Sequence, residues 1–329
     1  MDLRYFSGRP GRIDLHMHTT ASDGTDTPEE IIEKVKKAGI GLFSVTDHDA
    51  IKGCGIIRSL RRPGDPLFIT GVEFSCREKR RRPDREGKEG IRGIEGKEGK
   101  EDKEGLEETE EKYHILGYGF DPDSEPIRRV VELGHSYRMQ KLEARLVFLQ
   151  EEFGFVFPKE EKDRLFSMDN PGKPHIGNLM VQYGYARSKD EGIREYLNRH
   201  HYRGKYVKPE EAIEGILGSG GIPVLAHPVF GDGDQNIRGE ELERRIRKLK
   251  GFGLQGLEAY YSRFTPEIRE ELLALADRCD LYVTAGSDYH GANKTVRLGD
   301  TGLDGRAGTQ ALPGRMRIFL EAVREAAAK

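Results

Sequence analysis

Histidine and aspartate side chains able to bind a metal ion stand close together near the start of the chain, in RIDLHMHTTASDG at residues 12–24. His16 and His18 are two residues apart, so in a strand their side chains point the same way. Asp23 follows in the turn-like sequence TTASDG, which can fold its carboxylate back over the same strand end. Imidazole and carboxylate groups without a thiolate suit Mn, Fe or Zn. Alone, this pattern is also compatible with surface histidines or with histidines satisfied in the core.

The same residue types recur at or near the ends of other predicted strands. They are Asp47 and His48 in GLFSVTDHD, Glu73 in ITGVEFS, His114 in EKYHILGYG, His227 in VLAHP, and Asp288 and His290 in VTAGSDYHG. In parallel α/β folds and barrels, ligands gather at the C-terminal ends of the strands. Strands that repeatedly deliver such groups to one edge therefore predict a shared metal site.

The segments that must position these residues have the pattern of an α/β fold. IDLHMH, GLFSVTDH and PLFITGVEFS are predicted strands. TPEEIIEKVKKAG, between the first two, is a predicted helix with Thr27 as its cap, Pro28 in its first turn and Gly39 at its end. A strand–helix–strand unit of about 35 residues predicts a parallel sheet.

A long helical region is predicted at residues 125–205, where PIRRVVELGHSYRMQKLEARLVFLQEEFG is the clearest helix. Strands and helices alternate again from GGIPVLAHP onward, and PGRMRIFLEAVREAAAK is a predicted C-terminal helix. We therefore expect residues 12–124 and 206–329 to form one α/β domain. The residues between them would be a small inserted helical domain.

Residues 77–112 interrupt this pattern with an unusual concentration of charge. Of these 36 residues, 12 are positive and 13 are negative, and only three are aliphatic. Such a segment buries too little apolar surface to order itself, so we predict a disordered loop within the α/β domain. Its basic start, CREKRRRPDR, suggests the hypothesis that it holds RNA near the site, although a tolerated loop expansion is the favoured interpretation.

Composition restricts the class of protein further. The formal net charge of −3 gives no general attraction to nucleic acid or to an anionic membrane, and no DNA-binding module is apparent. Three widely separated cysteines indicate neither a disulfide framework nor a thiolate metal site, which favours a cytoplasmic location. No apolar run reaches the ~20 residues needed to span a bilayer, and we expect no membrane association.

Taken together, the motifs HMHTTASDG, TDHD, GVEFS, the histidine of HILGYG, LAHP and GSDYHG resemble the PHP (polymerase and histidinol phosphatase) family of metal-dependent phosphoesterases. KPHIGNLM and the helical insertion are similar to the branch that contains 3',5'-nucleoside bisphosphate phosphatases and 5'-3' exoribonucleases. The resemblance implies an α/β fold, a distorted (β/α)7 TIM-like barrel with a mainly helical insertion. It also implies a phosphatase or exonuclease whose substrate is a small phosphorylated nucleotide or a short RNA.

The resemblance further implies three divalent metal ions, with Mn as the expected metal and Fe or Zn as alternatives. The first ion would be held by His16, His18, Glu73 and Asp288, the second by Asp23, His48 and His290, and the third by Glu73, His114 and His227. Clustered cations neutralise phosphate oxygens and lower the pKa of a bridging water. The hydroxide held by Glu73 and the cluster would then attack phosphorus.

Residues beyond the ligands have more open interpretations. Asp47 and Asp49 flank His48, and one of them either supports an imidazole through its other nitrogen or stabilises a turn. The resemblance suggests that His175 and Lys173 bind substrate phosphate. Lysine replaces the arginine usual in this branch, which removes the bidentate fork of a guanidinium.

Four further side chains have competing interpretations. For Arg138 and Arg145, we favour solvated positions on a helix face over lining the cleft. Tyr260 and Tyr261 are compatible with stacking on a base, and core packing is an equally good interpretation for one of the two.

Two alternative functions remain open. One is a histidinol-phosphate-type phosphatase with the same metal site. The other is a non-catalytic PHP-like module, which predicts lost ligands, and all nine positions carry the expected residue type.

Overall fold

Strands and helices alternate along most of the chain, as the sequence predicts. The computed structural model describes residues 12–81, 108–230, 236–303 and 312–326. Within these ranges the strands are β1 (Arg12–Asp14), β2 (Ile40–Phe43), β3 (Leu67–Phe68), β4 (Gly71–Arg81), β5 (Glu108–Tyr118), β6 (Ile222–Leu225), β7 (Gly256–Tyr261) and β8 (Tyr282–Gly286). The helices are α1 (Pro28–Lys37), α2 (Lys52–Leu60), α3 (Glu125–Phe153), α4 (Lys159–Phe166), α5 (Lys173–Gln182), α6 (Lys189–Glu191), α7 (Pro209–Gly218), α8 (Gly239–Gly251), α9 (Pro266–Arg278) and α10 (Gly314–Ala326). None of the helices in these ranges combines the length and apolarity needed to cross a membrane.

The first strand–helix–strand unit forms as predicted. The Thr27 side chain accepts a hydrogen bond from the Glu30 backbone N–H, and the Glu30 carboxylate accepts one from the Thr27 N–H at 2.8 Å. This reciprocal pair satisfies donors that the first turn of α1 would otherwise leave free. Gly39 follows the helix with φ of 68°, a conformation that glycine adopts without strain. β1 and β2 then pair in parallel.

The strands belong to two sheets. β1, β2 and β3 form a parallel sheet in that order, and β4 to β8 form a five-stranded sheet in chain order. β5 runs antiparallel to both β4 and β6, whereas β6, β7 and β8 are parallel. The predicted parallel pattern is therefore interrupted at β5, because β4 and β5 follow each other as neighbouring antiparallel strands, with no crossover helix between them in the described structure.

Backbone hydrogen bonds join the two sheets at both edges. The Asp288 N–H donates to the His16 carbonyl at 2.8 Å, just beyond the ends of β8 and β1. At the other edge the Glu73 N–H donates to the Asp47 carbonyl at 3.2 Å, where the chain leaving β2 meets β4. Both junctions consist of residues singled out by the sequence, so the chemistry lies where the sheets meet.

The prediction of a disordered loop at residues 77–112 is wrong at its two ends. Residues 77–81 extend β4 and residues 108–112 extend β5, in continuous antiparallel register. The intervening residues 82–107 lie outside the described residues, and so does part of the basic segment 76–85. The hypothesis that this segment holds RNA therefore stays a prediction.

Ion pairs explain how such polar strands can pair. Arg77 on β4 contacts the Glu110 carboxylate on β5 at 2.5 Å. Glu78 also pairs with Lys248 on α8 at 2.7 Å. A pair of opposite charges across neighbouring strands, here Arg77 and Glu110, contributes about 0.2–1 kcal/mol, and the Lys248 pair adds a contact from α8. A count of apolar residues alone misses this contribution.

Apolar side chains form more than one core. The largest core packs the five-stranded sheet against its helices and includes Ile127 and Val130 from the start of α3. A separate cluster lies within the helical region and consists of Leu142, Leu146, Leu149, Phe157, Leu165, Ile176, Leu179, Met180 and Leu197. α3 thus contributes to both cores, the first part to the sheet and the second part to the helical region.

Candidate metal centre

The nine predicted metal ligands converge at the junctions between the two sheets. Their nitrogen and oxygen atoms form overlapping groups within 4.8 Å, namely His18, Asp23, His48 and His290; His16, His18 and Glu73; and His48, Glu73 and His114. His227 and Asp288 join these groups through ion-pair distances to Glu73 and to His16, respectively. The structure therefore brings together every residue of the predicted ligand set.

Glu73 lies buried at the centre of the cluster, and its two oxygens face different imidazoles. Oε2 lies 3.2 Å from His16 Nε2 and 3.2 Å from His18 Nε2. Oε1 lies 2.9 Å from His114 Nδ1 and 3.1 Å from His227 Nε2. A carboxylate placed in this way is able to bridge two metal ions, as the resemblance implies for this residue.

Asp288 and Asp23 stand on opposite sides of His18. Asp288 Oδ1 lies 3.6 Å from His16 Nε2 and 3.4 Å from His18 Nε2, which agrees with one shared location for the first predicted set. Asp23 Oδ1 lies 3.2 Å from His290 Nε2, within the second set. His18 is within reach of both groups, so the assignment of individual ions to ligands stays a prediction.

Several ligand atoms are buried without a hydrogen-bond partner in the described part of the chain. They are His16 Nε2, His18 Nε2, Asp23 Oδ1, His48 Nδ1 and Glu73 Oε2. Buried polar atoms are nearly always satisfied, so a cluster of unsatisfied ones requires a cause. Imidazole nitrogens and carboxylate oxygens directed at one another form a donor set that fits a divalent ion.

Electrostatics keep the acidic ligands ionised despite their burial. Burial alone would raise the pKa of a carboxyl group, yet the pKa values of Asp23, Glu73 and Asp288 lie well below the usual range. For Glu73 the main cause that lowers the pKa is the positive charge of the neighbouring His16 imidazole. Three carboxylates ready to bind a cation are therefore present at neutral pH.

For two of the histidines, neighbouring carboxylates raise the pKa by more than burial lowers it. Burial lowers the pKa of His18, but the nearby carboxylates of Asp288 and Glu73 more than offset this and raise its pKa to about 9. The pKa of His16 is also raised, because the charges of Glu73 and Glu258 outweigh burial. In the metal-free protein these imidazoles therefore carry protons, which a bound metal ion would displace.

Asp47 does not contact an imidazole directly. Its oxygens accept hydrogen bonds from the Thr19 N–H at 2.7 Å, the Thr19 hydroxyl at 2.8 Å and the Ser22 hydroxyl at 2.7 Å. These bonds fix the turn that follows β1. Of the two interpretations that the sequence left open for this residue, they agree with stabilisation of a turn. The Asp47 carboxylate approaches an imidazole through Ser22, whose Oγ lies 3.5 Å from His18 Nδ1.

The prediction that Arg138 and Arg145 are solvated on a helix face is wrong. Arg138 forms an ion pair with Asp49, whose other carboxylate oxygen accepts a hydrogen bond from the Ser75 N–H at 3.0 Å. Arg145 is only 8% exposed. Both side chains are removed from solvent by the packing of α3 in the folded chain, which helical periodicity alone does not predict.

Sequence reasoning missed side chains that hold the ligands in place. Glu258 on β7 accepts a hydrogen bond from His16 Nδ1 at 3.0 Å. Lys294 Nζ and the Tyr261 hydroxyl both donate to Asp288 Oδ2, at 2.6 and 2.9 Å. Tyr261 is buried, which supports core packing over base stacking. A glutamate inside the apolar strand GLEAYY was an available signal, whereas no spacing marks Lys294.

The helical region is attached to both flanks of the metal centre. The Asn170 side chain donates to the His48 carbonyl. On the other flank Lys189 Nζ donates to Asn293 Oδ1 at 2.9 Å, and Asn293 Nδ2 donates to the Asp23 carbonyl at 2.7 Å. The inserted helices thus hold the backbone of two predicted ligands.

Lys173 and His175 lie at the start of α5. His175 Nδ1 accepts a hydrogen bond from the Gly172 N–H at 3.0 Å, and burial lowers its pKa. Lys173 Nζ donates to Asn198 Oδ1 at 2.6 Å, and burial lowers its pKa to about 8. Neither forms a hydrogen bond or ion pair with a metal ligand among the described residues, so their role in phosphate binding stays a prediction.

A second cavity adjoins the metal centre. The first cavity, which we call the metal cavity, has a volume of about 280 Å³ and is lined by Glu73, Asp288 and other ligands. The second cavity has a volume of about 160 Å³. His114 and Lys112 line both cavities. We call the second one the cationic cavity. Its basic lining residues are Arg77, Lys112, Arg138, Lys141 and Lys205.

Lys141 and Arg145 have no carboxylate within ion-pair distance in the described part of the chain. Burial, followed by the charges of Arg145 and Arg138, lowers the pKa of Lys141 to about 6. Burial likewise lowers the pKa of Arg145 to about 10. The centroid of the Tyr206 ring lies 4.6 Å from Lys141 Nζ and 3.9 Å from the Arg77 guanidinium. A cavity beside cations that no carboxylate balances can bind an anion.

Comparison with known families agrees with this geometry. Residues 14–154 match the family model described as the PHP domain. The resemblance to this family that was inferred from the motifs is therefore confirmed.

Individual relatives extend the similarity over most of the chain. A 5'-3' exoribonuclease Rnm of Escherichia coli is 28% identical over 295 residues, covering 87% of each protein. A 3',5'-nucleoside bisphosphate phosphatase of Chromobacterium violaceum is 26% identical over 288 residues, covering 84% of this chain and 87% of the relative. A solved structure of a putative metal-dependent phosphoesterase from Bifidobacterium adolescentis has a TM-score of 0.69 at 23% identity, covering 96% and 95% of the two chains, and so shares the α/β fold.

Proposed function

We propose that this protein is a metal-dependent phosphoesterase that hydrolyses phosphate esters of nucleotides. The substrate is a 3',5'-nucleoside bisphosphate or the 5' end of a short RNA, the two activities named for its relatives. The observation that carries this proposal is the contact between a cavity rich in metal ligands and a cavity rich in cations, with His114 lining both. A substrate with one phosphate to be cleaved and a second phosphate nearby matches this pair of cavities.

The nine clustered residues would hold three divalent ions, with Mn as the expected metal and Fe or Zn as alternatives. Bound ions would neutralise phosphate oxygens and lower the pKa of a water molecule. The chain supplies the arrangement: Glu73 stands between two groups of imidazoles, and Lys294 and Tyr261 fix Asp288. Ligands held in advance need little rearrangement when an ion or a substrate arrives.

Side chains at the mouth of the metal cavity can meet the reacting phosphate. Lys112 and Arg263 line this cavity beside the ligands. The Arg263 guanidinium lies 4.9 Å from the centroid of the Phe230 ring, which limits the directions it can take. Both cations can bind phosphate oxygens while leaving the ligand cluster free.

The cationic cavity would bind the second phosphate. Arg138 is already paired with Asp49, so Lys141 and the neighbouring Arg145 are the cations whose charge is not balanced. An anion at this position would restore the ordinary protonation of Lys141 and form charge-assisted hydrogen bonds. This requirement favours nucleotides with two phosphates over a monophosphate such as histidinol phosphate.

The wider architecture has a matching interpretation. We propose that the two sheets approximate a distorted (β/α)7 barrel, which the hydrogen bonds at both sheet edges support. Residues 125–205 would be an insertion that covers the site, supported by its separate apolar cluster and its bonds to the backbone of two ligands. The cytoplasmic location stays a prediction from the cysteine pattern.

A product assay tests the proposed function. The Mn-loaded protein is incubated separately with adenosine 3',5'-bisphosphate, with a short 5'-phosphorylated RNA and with histidinol phosphate. We expect phosphate or nucleotide release from one of the first two, and its loss in Glu73→Ala. Turnover of histidinol phosphate alone would overturn the substrate assignment. Absence of turnover with all three, despite bound metal, would overturn the function itself.

A further inference from the structure

The buried carboxylate of Glu258 contacts two predicted metal ligands from behind. Glu258 is fully buried on β7. Its Oε1 accepts a hydrogen bond from His16 Nδ1 at 3.0 Å, and its Oε2 accepts one from the backbone N–H of His227 at 2.9 Å. We propose that Glu258 is a positioning residue that fixes both His16 and His227 for metal binding, an inference that rests on the proposed metal centre.

The chemistry of the contact determines which nitrogen of His16 is available. An ionised carboxylate only accepts hydrogen bonds, so Nδ1 must carry the proton. The proton that a metal ion must displace is then the one on Nε2, the nitrogen on the side of Glu73, 3.2 Å away. Ligand histidines commonly gain their orientation and tautomer from such a partner. Glu258 therefore sets the tautomer that a metal ion requires.

The second contact restrains a strained part of the backbone. His227 follows β6 with φ of 27°, an uncommon value for a residue with a side chain. The bond from its N–H to Glu258 holds this conformation, in which His227 Nε2 lies 3.1 Å from Glu73 Oε1. One carboxylate thus connects ligands from β1 and from the end of β6.

The surrounding backbone is shaped around this contact. A Cβ atom on Gly286 of β8 would lie 2.2 Å from His16 Cβ and 2.4 Å from Glu258 Oε1, so only glycine fits there. The pairing of β7 with β8 also shifts register between Glu258 and Tyr260. Bulges of this kind redirect side chains near functional sites. Two separate backbone features therefore accommodate the Glu258–His16 pair.

Glu258→Gln is the informative variant because it keeps the size and removes one acceptor. Two N–H donors face the side chain, and an amide can accept from only one of them. We expect a metal-binding affinity, measured by calorimetry with Mn on the metal-stripped protein, about 10- to 100-fold weaker than that of the unmodified protein. Glu111→Gln is the matched control, since Glu111 is also a buried glutamate but bonds to Tyr113 instead of a metal ligand. It should retain the original affinity.

A second measurement is made on the unmodified protein and does not depend on Glu258→Gln remaining folded. In the zinc-loaded protein with ¹⁵N-labelled histidine, the His16 signal is identified by its absence from the spectrum of His16→Asn. We expect a proton on Nδ1 and none on Nε2. An unprotonated Nδ1, or equal affinities for Glu258→Gln and the unmodified protein, would overturn the inference. Failure of the unmodified protein to bind metal would instead overturn the proposed function.

Discussion

The metal cavity and the cationic cavity are neighbours, and each lacks a partner of opposite charge: a cation in the first and an anion in the second. In the first, buried ligand atoms such as His18 Nε2 and Glu73 Oε2 face one another without a hydrogen-bond partner among the described residues. In the second, the half-buried Lys141 has no carboxylate partner in the same part of the chain, and neither has the buried Arg145 next to it on α3. A divalent cation would satisfy the first cavity and an anion would satisfy the second. The two deficits together describe a metal ion and a phosphate-bearing substrate side by side.

The two cavities also differ in how the protein supports them. The ligands of the first are fixed by further buried side chains, including Glu258 behind His16 and Lys294 beside Asp288. The cations of the second extend from α3 and from the β4–β5 pair, and the exposed Lys205 also lines it. Rigid support suits a site that must hold metal ions in a fixed geometry. A more exposed lining suits a substrate that must enter and leave.

The largest effect is expected from removing the carboxylate at the centre of the metal cavity. Glu73→Gln removes the negative charge shared by both groups of imidazoles. We expect activity to fall by more than ~100-fold with loss of bound metal, since even supporting residues of metal sites contribute 10- to 100-fold. Metal content by mass spectrometry and turnover of the bisphosphate or RNA measure this. Full metal content with normal turnover would show that Glu73 does not bridge the site.

A matched pair of buried arginines tests the cationic cavity. Arg145 and Arg245 are 8% and 7% exposed, but only Arg245 has a carboxylate partner among the described residues, Glu241 at 2.9 Å. Arg145→Met removes an unbalanced charge, so we expect unchanged or higher thermal stability and a KM raised roughly 10- to 100-fold. Arg245→Met should lower stability and leave KM unchanged. Equal KM values in both variants would contradict a substrate role for the cationic cavity.

The metal cavity could be predicted from the sequence and the cationic cavity could not, for a physical reason. The ligands end strands, and the ends of strands meet at one edge by the construction of an α/β fold. Their residue types, such as His16, His18 and Asp288, also carry a specific chemistry. Arg138 and Arg145 lie on the long helix α3, where the direction of a charged side chain depends on what the helix packs against. That information is absent from local spacing.

The same distinction explains the error at residues 77–112. A low count of apolar residues correctly describes a segment that cannot form its own core. The ends of this segment form strands because they extend a sheet that already exists and because Arg77, Glu78 and Lys248 take part in ion pairs. Burial patterns predict cores well, whereas ion pairs between distant segments need the three-dimensional structure.

Metal affinity and substrate affinity should depend on pH in opposite directions. The pKa of His18 is about 9, so below that pH a metal ion must displace its proton. Metal affinity should therefore decrease as the pH falls from 9, by up to about tenfold per pH unit for one linked proton. The pKa of Lys141 is about 6, so above that pH an anion must bring a proton with it. Substrate affinity at saturating metal should instead decrease as the pH rises from 6 toward 8.

These trends are measured by calorimetry for the metal and by KM for the substrate. Lys141→Met is the control, because it removes the group whose proton is linked to anion binding. The variant should show a higher KM with a flatter pH dependence between 6 and 8. A KM profile identical in slope to that of the unmodified protein would assign the dependence to another group, with Lys173, whose pKa is about 8, as the next candidate.

The smallest expected effect is that of salt. Screening acts on exposed charges over about 8–10 Å at moderate ionic strength and much less on buried pairs. Lys205 is exposed at the mouth of the cationic cavity, whereas Glu73 and its imidazoles are buried. Raising NaCl from about 0.05 to 0.5 M should therefore increase KM a few-fold while leaving metal content unchanged. Loss of metal over the same range, with KM constant, would reverse the assignment of the two cavities, because the exposed charges would then be holding the ions.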